Sequence, residues 1–184
     1  RDDPFRNHFI KQGEDMSIPD PIRIVIITLS DRASKGEYED LSGPEIKLLC
    51  AKFFEEKNLA IDARNLLIPD DPIQLSMLVQ DSDIKGIQVL FTTGGTGIGP
   101  KDFTPDVISE LLDKEIPGVM EMIRVKYGME KPNALISRSI AGVRNKMLIY
   151  ALPGSVKAVR EYCHEILPTI QHSLKMIYGV DDHS

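Results

Sequence analysis

Short runs of apolar residues alternate along the chain with segments whose apolar residues recur at steps of three and four. The runs that have the length and composition of buried strands are residues 22–29, 59–67 and 87–92. Helical spacing follows each of these runs, in segments that begin near Ser42, Pro72 and Thr104. Because strands that alternate with helices form parallel sheets, this order predicts an α/β fold of three layers, a mainly parallel sheet with helices on both faces.

The starts of these helices carry their own signals. Ser42-Gly43-Pro44-Glu45 predicts a capping box with proline in the first turn, and Asp71-Pro72 opens a helix that carries Ile73, Met77 and Leu78. Thr104 is the predicted cap of the next helix. We expect its inner face to consist of Val107, Ile108, Leu111 and Leu112.

The pattern changes in the second half of the chain. A helix is predicted from Val119 to about Tyr127, and residues 139–143 and 147–152 predict two strands joined by a polar turn. Apolar residues from Val156 to Ile177 then predict a long amphipathic helix with a kink near Pro168. We find no repeat or shift of composition that would mark a second domain.

Composition and charge exclude several classes of protein. The net charge is −6, which argues against broad nucleic-acid binding, and no apolar stretch approaches the length of a membrane span. Cys50 and Cys163 fall on apolar helical faces, so we expect two buried core residues in a protein of the reducing cytoplasm. Residues 1–15 are polar and precede Met16, and we interpret them as an added or disordered arm before a single domain of residues 16–184.

Four segments directly follow predicted strands, and in a parallel sheet such segments meet at one edge. They are Ser30-Asp31-Arg32, Pro69-Asp70, Gly94-Gly95-Thr96-Gly97 and Pro153-Gly154-Ser155. We therefore expect one ligand site there. Pro153-Gly154-Ser155 is typical of an anion site at a helix N-terminus, although an ordinary strand-to-helix turn explains it equally well.

The segment TTGGTGIGPKDFTPD, residues 92–106, is the most informative of the four regions. Its glycines allow close backbone approach and positive φ, and the N–H groups of such a loop can hold phosphate oxygens. Thr96 adds a hydroxyl and Lys101 a positive charge, and we expect a side chain at Gly95 to fill the space that a phosphate needs. The glycine spacing matches neither a Walker A loop nor a dinucleotide fingerprint, and a tight structural turn is the alternative.

Asp70 and Asp102 would repel a phosphate unless a divalent cation lay between them. Mg²⁺ commonly takes one or two carboxylates together with phosphates, so both aspartates are candidate magnesium ligands. Asp70 could instead cap a helix and Asp102 could be a turn residue, while Asp31 and Arg32 could simply pair with each other. No histidine lies in any of these segments, which argues against a zinc centre.

Together these segments resemble the molybdopterin adenylyltransferase family of the MogA type, which is related to the G domain of gephyrin. The resemblance covers about residues 22–178. Its five motifs occur in order and are SDRASKGEYEDLSG (residues 30–43), LLIPDD (66–71), TTGGTGIGPKDFTPD, ALISRSIAGVR (134–144) and LPGSVKAV (152–159). The opening SDRAS is more similar to this branch than to the MoaB branch.

The resemblance implies a cytoplasmic homotrimer of molybdenum cofactor biosynthesis. Such an enzyme uses ATP and Mg²⁺ to adenylylate molybdopterin, releases pyrophosphate, and passes its product toward molybdate insertion, where a partner enzyme could act. A molybdopterin-binding or scaffold module without turnover is the alternative.

Motif matching also assigns site residues. Asp70 and Asp102 match the family's essential aspartates, and residues 94–97 match its phosphate-binding segment. Lys101 stands where arginine is common, which keeps the charge but loses the bidentate fork. The residues that match segments lining the family's cleft are Ser30, Asp31, Ser137, Ser139, Pro153, Gly154 and Ser155.

Overall fold

A computed structural model describes residues 17–180, so the expectations for residues 1–15 and for Met16 lie outside the described residues. The strands are β1 (Ile22–Leu29), β2 (Ile61–Ile68), β3 (Val89–Thr93), β4 (Lys114–Glu115), β5 (Ile140–Arg144) and β6 (Met147–Leu152). The α-helices are α1 (Asp31–Ser34), α2 (Ser42–Glu56), α3 (Pro72–Ile84), α4 (Thr104–Leu111), α5 (Pro117–Gly128) and α6 (Val156–Tyr178). A 3₁₀-helix spans Pro132–Ile136.

The six strands form one sheet in the order β2-β1-β3-β6-β5-β4. The first four of these strands are mutually parallel, whereas β5 runs antiparallel to β6 and β4 antiparallel to β5. The turn between β5 and β6 contains Asn145 at φ 48°. The predicted mainly parallel sheet, and the change of pattern in the second half of the chain, are therefore confirmed.

Helices cover both faces of the sheet, which confirms the three layers. Residues of α2, α5 and α6 form one core with the sheet, and residues of α3 and α4 form the other. Cys50 and Cys163 are fully buried in the first core, as predicted, and burial raises the pKa of the Cys163 thiol to about 12. Neither thiol is a nucleophile at neutral pH.

The start of α2 differs from its prediction. Asp40, not Ser42, caps this helix: its Oδ1 accepts from the N–H groups of Ser42 and Gly43 at 3.0 and 3.2 Å. Its Oδ2 accepts from the Thr28 hydroxyl at 2.7 Å. Glu45, the supposed partner in the capping box, pairs with Arg160 at 2.6 Å. The capping box is wrong because a carboxylate already holds these amides, and charged acceptors bind N–H groups more strongly than a hydroxyl.

The helices of the other face follow their predictions only in part. Asp71 caps α3 by accepting from the N–H groups of Ile73 and Gln74, but the side chains of Ile73 and Met77 are 72% and 65% exposed. Thr104 does not cap α4, because it lies inside the first turn with its Oγ1 buried and without a partner among the described residues. The predicted inner face of α4 does pack against the core, with Ile108 fully buried.

The last helix extends over 23 residues from its Ser155 cap to Gly179, which takes the left-handed conformation. Ser155 Oγ accepts from the N–H of Ala158 at 3.2 Å. The helix continues through Pro168, and the bend expected there stays a prediction. Over residues 17–180, no helix is both long and apolar enough to cross a membrane.

Candidate functional site

The four segments predicted to meet do lie at one edge of the sheet, beyond the carboxyl ends of the parallel strands. Short contacts tie their starting points together: Ser30 N–H donates to Ile68 O, and Gly94 N–H donates to Leu152 O, both at 3.0 Å. The Thr93 hydroxyl donates to Pro153 O at 2.9 Å. Because each contact joins the ends of neighbouring strands, the register of the sheet itself fixes the relative positions of the loops.

The glycine loop after β3 is folded against the start of α4. Gly95 has φ 64°, and a Cβ on it would lie 2.5 Å from Thr104 Oγ1. Glycine is therefore required by packing against the protein's own helix. Our expectation that a side chain here would fill the phosphate space is wrong, because the Cβ direction points into the fold.

Asp102 is a turn residue of this loop, which was the alternative to a magnesium ligand in the sequence analysis. Its Oδ2 accepts from Gly99 N–H at 2.8 Å, and its own N–H donates to Gly99 O at 3.0 Å. A Cβ on Gly97 would lie 2.7 Å from the same Oδ2, so the backbone passes directly beside the carboxylate. Within residues 17–180 no group donates to Asp102 Oδ1, which leaves that oxygen available to a ligand.

Asp70 is held in a reciprocal pair with Asp31. Asp70 Oδ2 accepts from Asp31 N–H at 3.1 Å, and Asp31 Oδ1 accepts from Asp70 N–H at 3.0 Å. Helix capping, the alternative for Asp70, is performed by Asp71 instead. In the described part of the chain Asp70 Oδ1 has no donor either.

Asp31 pairs with Lys101, not with Arg32. Asp31 Oδ2 lies 2.7 Å from Lys101 Nζ, and this hydrogen bond lowers the pKa of the Asp31 carboxyl. The Arg32 guanidinium lies over the Tyr38 ring instead, 5.1 Å from its centroid. The Asp31–Lys101 contact links the glycine loop to the end of β1 across 70 residues of sequence.

Two adjoining clefts open between these loops. The first, of about 340 Å³, is lined by Leu29, Ser30, Asp31, Arg32, Tyr38, Asp70, Gly95, Lys101 and Asp102. The second, of about 370 Å³, is lined by Gly94, Gly95, Thr96, Gly97, Asp102, Asn133, Ile136, Ser137, Pro153, Gly154 and Ser155. Gly95 and Asp102 belong to both, so the glycine loop forms the wall between them.

Every predicted binding residue except Ser139 lines one of these clefts. Ser139 is buried behind the second cleft, where its Oγ lies 2.9 Å from Ser137 Oγ and its carbonyl accepts from Arg124 at the same distance. The Tyr162 hydroxyl also donates to Ser137 Oγ, at 3.2 Å. Ser139 thus supports Ser137 from behind.

Asp70 and Asp102 could bind a magnesium ion only if phosphates of a bound substrate and water completed its coordination. No cluster of three or more carboxylate, histidine or cysteine side chains suited to a metal ion occurs among residues 17–180. Asp70 and Asp102 line the same cleft, and each has one oxygen without a donor. Two carboxylate oxygens completed by phosphates and water are a common magnesium environment.

Arg138 braces the glycine loop and was missed as a candidate. Its N–H donates to Thr96 O and its Nε to Gly97 O, both at 2.8 Å, and its guanidinium also donates to the backbone O of Asp102. Its Nη1 lies 2.8 Å from Asp106 Oδ1. The signal was an arginine between the two serines of ALISRSIAGVR, which only the folded structure connects to the loop.

Tyr38 is the second residue that the sequence analysis missed. Its hydroxyl lies 2.7 Å from Ser30 Oγ, and its side chain borders both the first cleft and a neighbouring hollow of about 230 Å³. The ring is half-exposed and stands at the mouth of the cleft. Its sequence signal was a tyrosine nine residues after the end of β1, within the motif SDRASKGEYEDLSG.

Comparison with known proteins agrees with this geometry. The family described as "Probable molybdopterin binding domain" matches residues 25–172. Molybdopterin adenylyltransferase of Helicobacter pylori strain J99 is 34% identical over 163 residues, which are 86% of this chain and 89% of that protein. Gephyrin of Dictyostelium discoideum is 35% identical over 158 residues, 83% of this chain but only 22% of gephyrin.

Solved structures of molybdenum and tungsten cofactor proteins have the same fold as this chain. A MogA structure matches with a TM-score of 0.74 at 32% identity, covering 84% of this chain and 99% of that one. The tungsten cofactor synthesizing protein MoaB from Pyrococcus furiosus matches with a TM-score of 0.76 at 32% identity, covering 87% and 99%. These likenesses do not separate the two branches, so the preference for MogA over MoaB stays a prediction. The matched profile, relatives and structures all span most of the chain, and the chain belongs to the molybdopterin-binding domain family.

Proposed function

We propose that this protein is a molybdopterin adenylyltransferase, which transfers AMP from ATP to molybdopterin in a magnesium-dependent reaction. The observation that carries the proposal is the meeting of Asp70, Asp102 and the glycine loop at one cleft, with one oxygen of each carboxylate lacking a donor. The name of the Helicobacter pylori relative, which aligns over nearly its whole length, supports the same activity.

In the proposed reaction, an oxygen of the terminal phosphate of molybdopterin attacks the α-phosphorus of ATP in line. A new P–O bond forms, the bond between the α-phosphorus and the bridging oxygen breaks, and pyrophosphate leaves with that electron pair. A phosphate monoester dianion is already a nucleophile, so the reaction needs no general base. Among the described residues, the lining of the two clefts contains no histidine.

The protein's own contribution is positioning and charge. N–H groups of the glycine loop and the hydroxyls of Thr96 and Ser137 would bind phosphate oxygens, and Asp70 and Asp102 would hold Mg²⁺. Bound there, Mg²⁺ would offset the negative charge that develops on the reacting phosphates. Lys101 would add a positive charge at the rim of the first cleft, in contact with Asp31.

The two clefts give room for two substrates on either side of the glycine loop. Asp102 lines both clefts, so a cation held by this carboxylate would be close to the phosphates of both substrates. Bringing two anions together at one point is the main cost of this reaction, and holding both beside one cation lowers that cost.

The alternative is a module that binds molybdopterin without turning ATP over. Incubation with ATP, Mg²⁺ and molybdopterin separates the two. We expect pyrophosphate and adenylylated pterin in equal amounts, and a matched reaction with EDTA in excess over Mg²⁺ should yield neither. Binding of molybdopterin without pyrophosphate release would leave the scaffold function in place of the enzyme.

Assembly and location are extensions of the same proposal. We infer that residues 16–184 form one adenylyltransferase domain and that three copies form a cytoplasmic homotrimer. The trimer would deliver its product to a molybdate-insertion enzyme. All four loops of the cleft come from one chain, so each subunit should carry its own site. In mixtures of active subunits with Asp102→Asn subunits, activity should follow the fraction of active subunits linearly, and a steep fall would mean shared sites.

A further inference from the structure

The two edge strands of the sheet differ in length. β4 closes one edge with two residues, whereas β2 forms the other edge with eight. Leu66 and Leu67 of β2 point to opposite faces and are 38% and 42% exposed. A long edge strand with exposed apolar side chains is a template for pairing with another strand.

The outer side of β2 presents regular backbone donors and acceptors. Ala60 O accepts from Ile22 N–H and Ile68 O accepts from Ser30 N–H, so the even-numbered residues of β2 direct their carbonyls toward β1. Residues 61, 63, 65 and 67 therefore direct their N–H and C=O groups outward. Over residues 17–180, β1 is the only strand that pairs with β2.

The charges along this edge are self-complementary. Asp62 and Arg64 lie on the same face, on either side of Ala63, and contact each other at 3.2 Å within the chain. Their side chains are 42% and 74% exposed, and such an exposed pair contributes little to the stability of one chain. Between two antiparallel copies of β2 related by a two-fold axis at Ala63, each Asp62 would lie opposite the other copy's Arg64.

The register centred on Arg64 is less favourable. A two-fold axis at Arg64 would place two arginines opposite each other, and like charges at that position destabilise an antiparallel pair. With the axis at Ala63, the outward N–H and C=O groups of the two Ala63 residues meet as a hydrogen-bonded pair. Leu66 then lies opposite Ala60 of the other copy, and the pairing begins at residue 60, because the Leu59 N–H already donates to Phe54 O at 2.9 Å.

We propose that the outer edge of β2 pairs antiparallel with β2 of a second copy of this chain, about a two-fold axis at Ala63. The contact joins two six-stranded sheets into one. A hollow of about 360 Å³, lined by residues that include Asp62, Arg64 and Leu66, lies beside the edge and leaves room for the opposing side chains. The contact does not depend on adenylyl transfer, and it can form between two monomers or between subunits of two trimers.

Cysteine cross-linking tests the register directly. Asp62→Cys protein is mixed with Arg64→Cys protein, allowed to exchange, and oxidised. In the proposed register the two cysteines are directly opposite in a non-hydrogen-bonded pair, which is close enough for a disulfide, and the other Asp62–Arg64 contact is kept. The native Cys50 and Cys163 are buried and do not compete.

We expect disulfide-linked dimers in the mixture and far fewer with either variant alone. In a dimer of one variant, each introduced cysteine lies opposite an unmutated charged residue and not opposite a second cysteine. Equal cross-linking in all three samples, or none in the mixture, would overturn the register.

Charge reversal tests the contact itself by light scattering. Arg64→Asp should lower the particle mass at low salt at least two-fold, and Asp62→Arg combined with Arg64→Asp should restore it. A mass unchanged by Arg64→Asp would refute the pairing.

Discussion

Carboxylates occupy two very different settings in this molecule. Glu165 lies on α6 and faces α5, where it accepts from Lys126 at 2.6 Å and from the Tyr127 hydroxyl at 3.0 Å; it also lies 2.8 Å from His164 Nδ1. Asp70 and Asp102 each accept one backbone N–H and form no ion pair with a described residue. The first setting compensates its charge within the protein, and the second leaves negative charge at the mouth of a cleft.

This difference separates residues that hold the fold from residues that serve a ligand. A carboxylate that a cation already neutralises gains little from a metal ion, whereas a carboxylate without such a partner can bind one. Substitution at Glu165 should therefore lower stability and spare activity, and substitution at Asp70 or Asp102 should do the reverse.

Asp102→Asn should lower the rate of adenylyl transfer by about 100-fold or more, the scale of losing a group that stabilises charge in the transition state. The amide oxygen can still accept from Gly99 N–H, so the melting temperature should stay nearly unchanged. Steady-state pyrophosphate release and thermal unfolding of one preparation give both values. Asp81→Asn, which breaks only an exposed contact with Lys85, is the matched control and should alter neither.

Gly97→Ala should lower the rate by about 10- to 100-fold, because the added Cβ would come within 2.7 Å of Asp102 Oδ2 and displace that carboxylate. Gly118→Ala is the control, since its Cβ meets no atom within 4 Å. If both alanine variants were equally active, the close approach of the loop to Asp102 would have no role in the reaction.

Arg138→Ala should cost about 10-fold in kcat/KM, because the loop loses a side chain that donates to the carbonyls of Gly97 and Asp102 and pairs with Asp106. Arg138→Lys should recover only part of this loss, since an ammonium group lacks the planar fork. A purely structural brace would change stability alone. Full activity of Arg138→Ala at temperatures where it stays folded would contradict a positioning role.

Glu165→Gln should leave adenylyl transfer unchanged and lower stability at neutral pH by about 1–2 kcal/mol, as expected for hydrogen bonds to a charged group. The surrounding donors, Lys126 first among them, lower the pKa of Glu165 to about 2 from an ordinary value of 4.5. Because the folded-state pKa is the lower one, this stabilisation is complete above pH 4.5 and is lost as the pH falls toward 2.

The melting temperature of the wild-type protein should therefore fall more steeply between pH 4.5 and 2 than that of Glu165→Gln. Thermal unfolding of both proteins at several pH values measures the difference. Parallel curves would mean that the network around Glu165 does not stabilise the fold.

The sequence predicted the sheet, the strand-end loops and the clefts because these follow from periodicity and from parallel strand order. It failed where a contact joins distant segments. The cap of α2 required the folded position of Asp40 beside Thr28, and the partner of Asp31 is Lys101, 70 residues away. Arg138 could not be assigned because its contacts with residues 96–102 exist only once the segment before β5 lies beside the glycine loop.

Glycine residues show the same limit. A sequence indicates that Gly95 is unusual, but the direction of its missing Cβ decides whether a ligand or the protein needs the space. Here that direction leads to Thr104.

The proposed mechanism requires that Asp70 and Asp102 hold one Mg²⁺ together. A double-mutant cycle tests it most directly, with transfer rates measured for Asp70→Asn, Asp102→Asn and the double variant under saturating ATP and Mg²⁺. If both carboxylates hold one ion, the double variant should be scarcely slower than the slower single variant. Independent losses that multiply in the double variant would contradict the claim and assign the two aspartates to separate tasks.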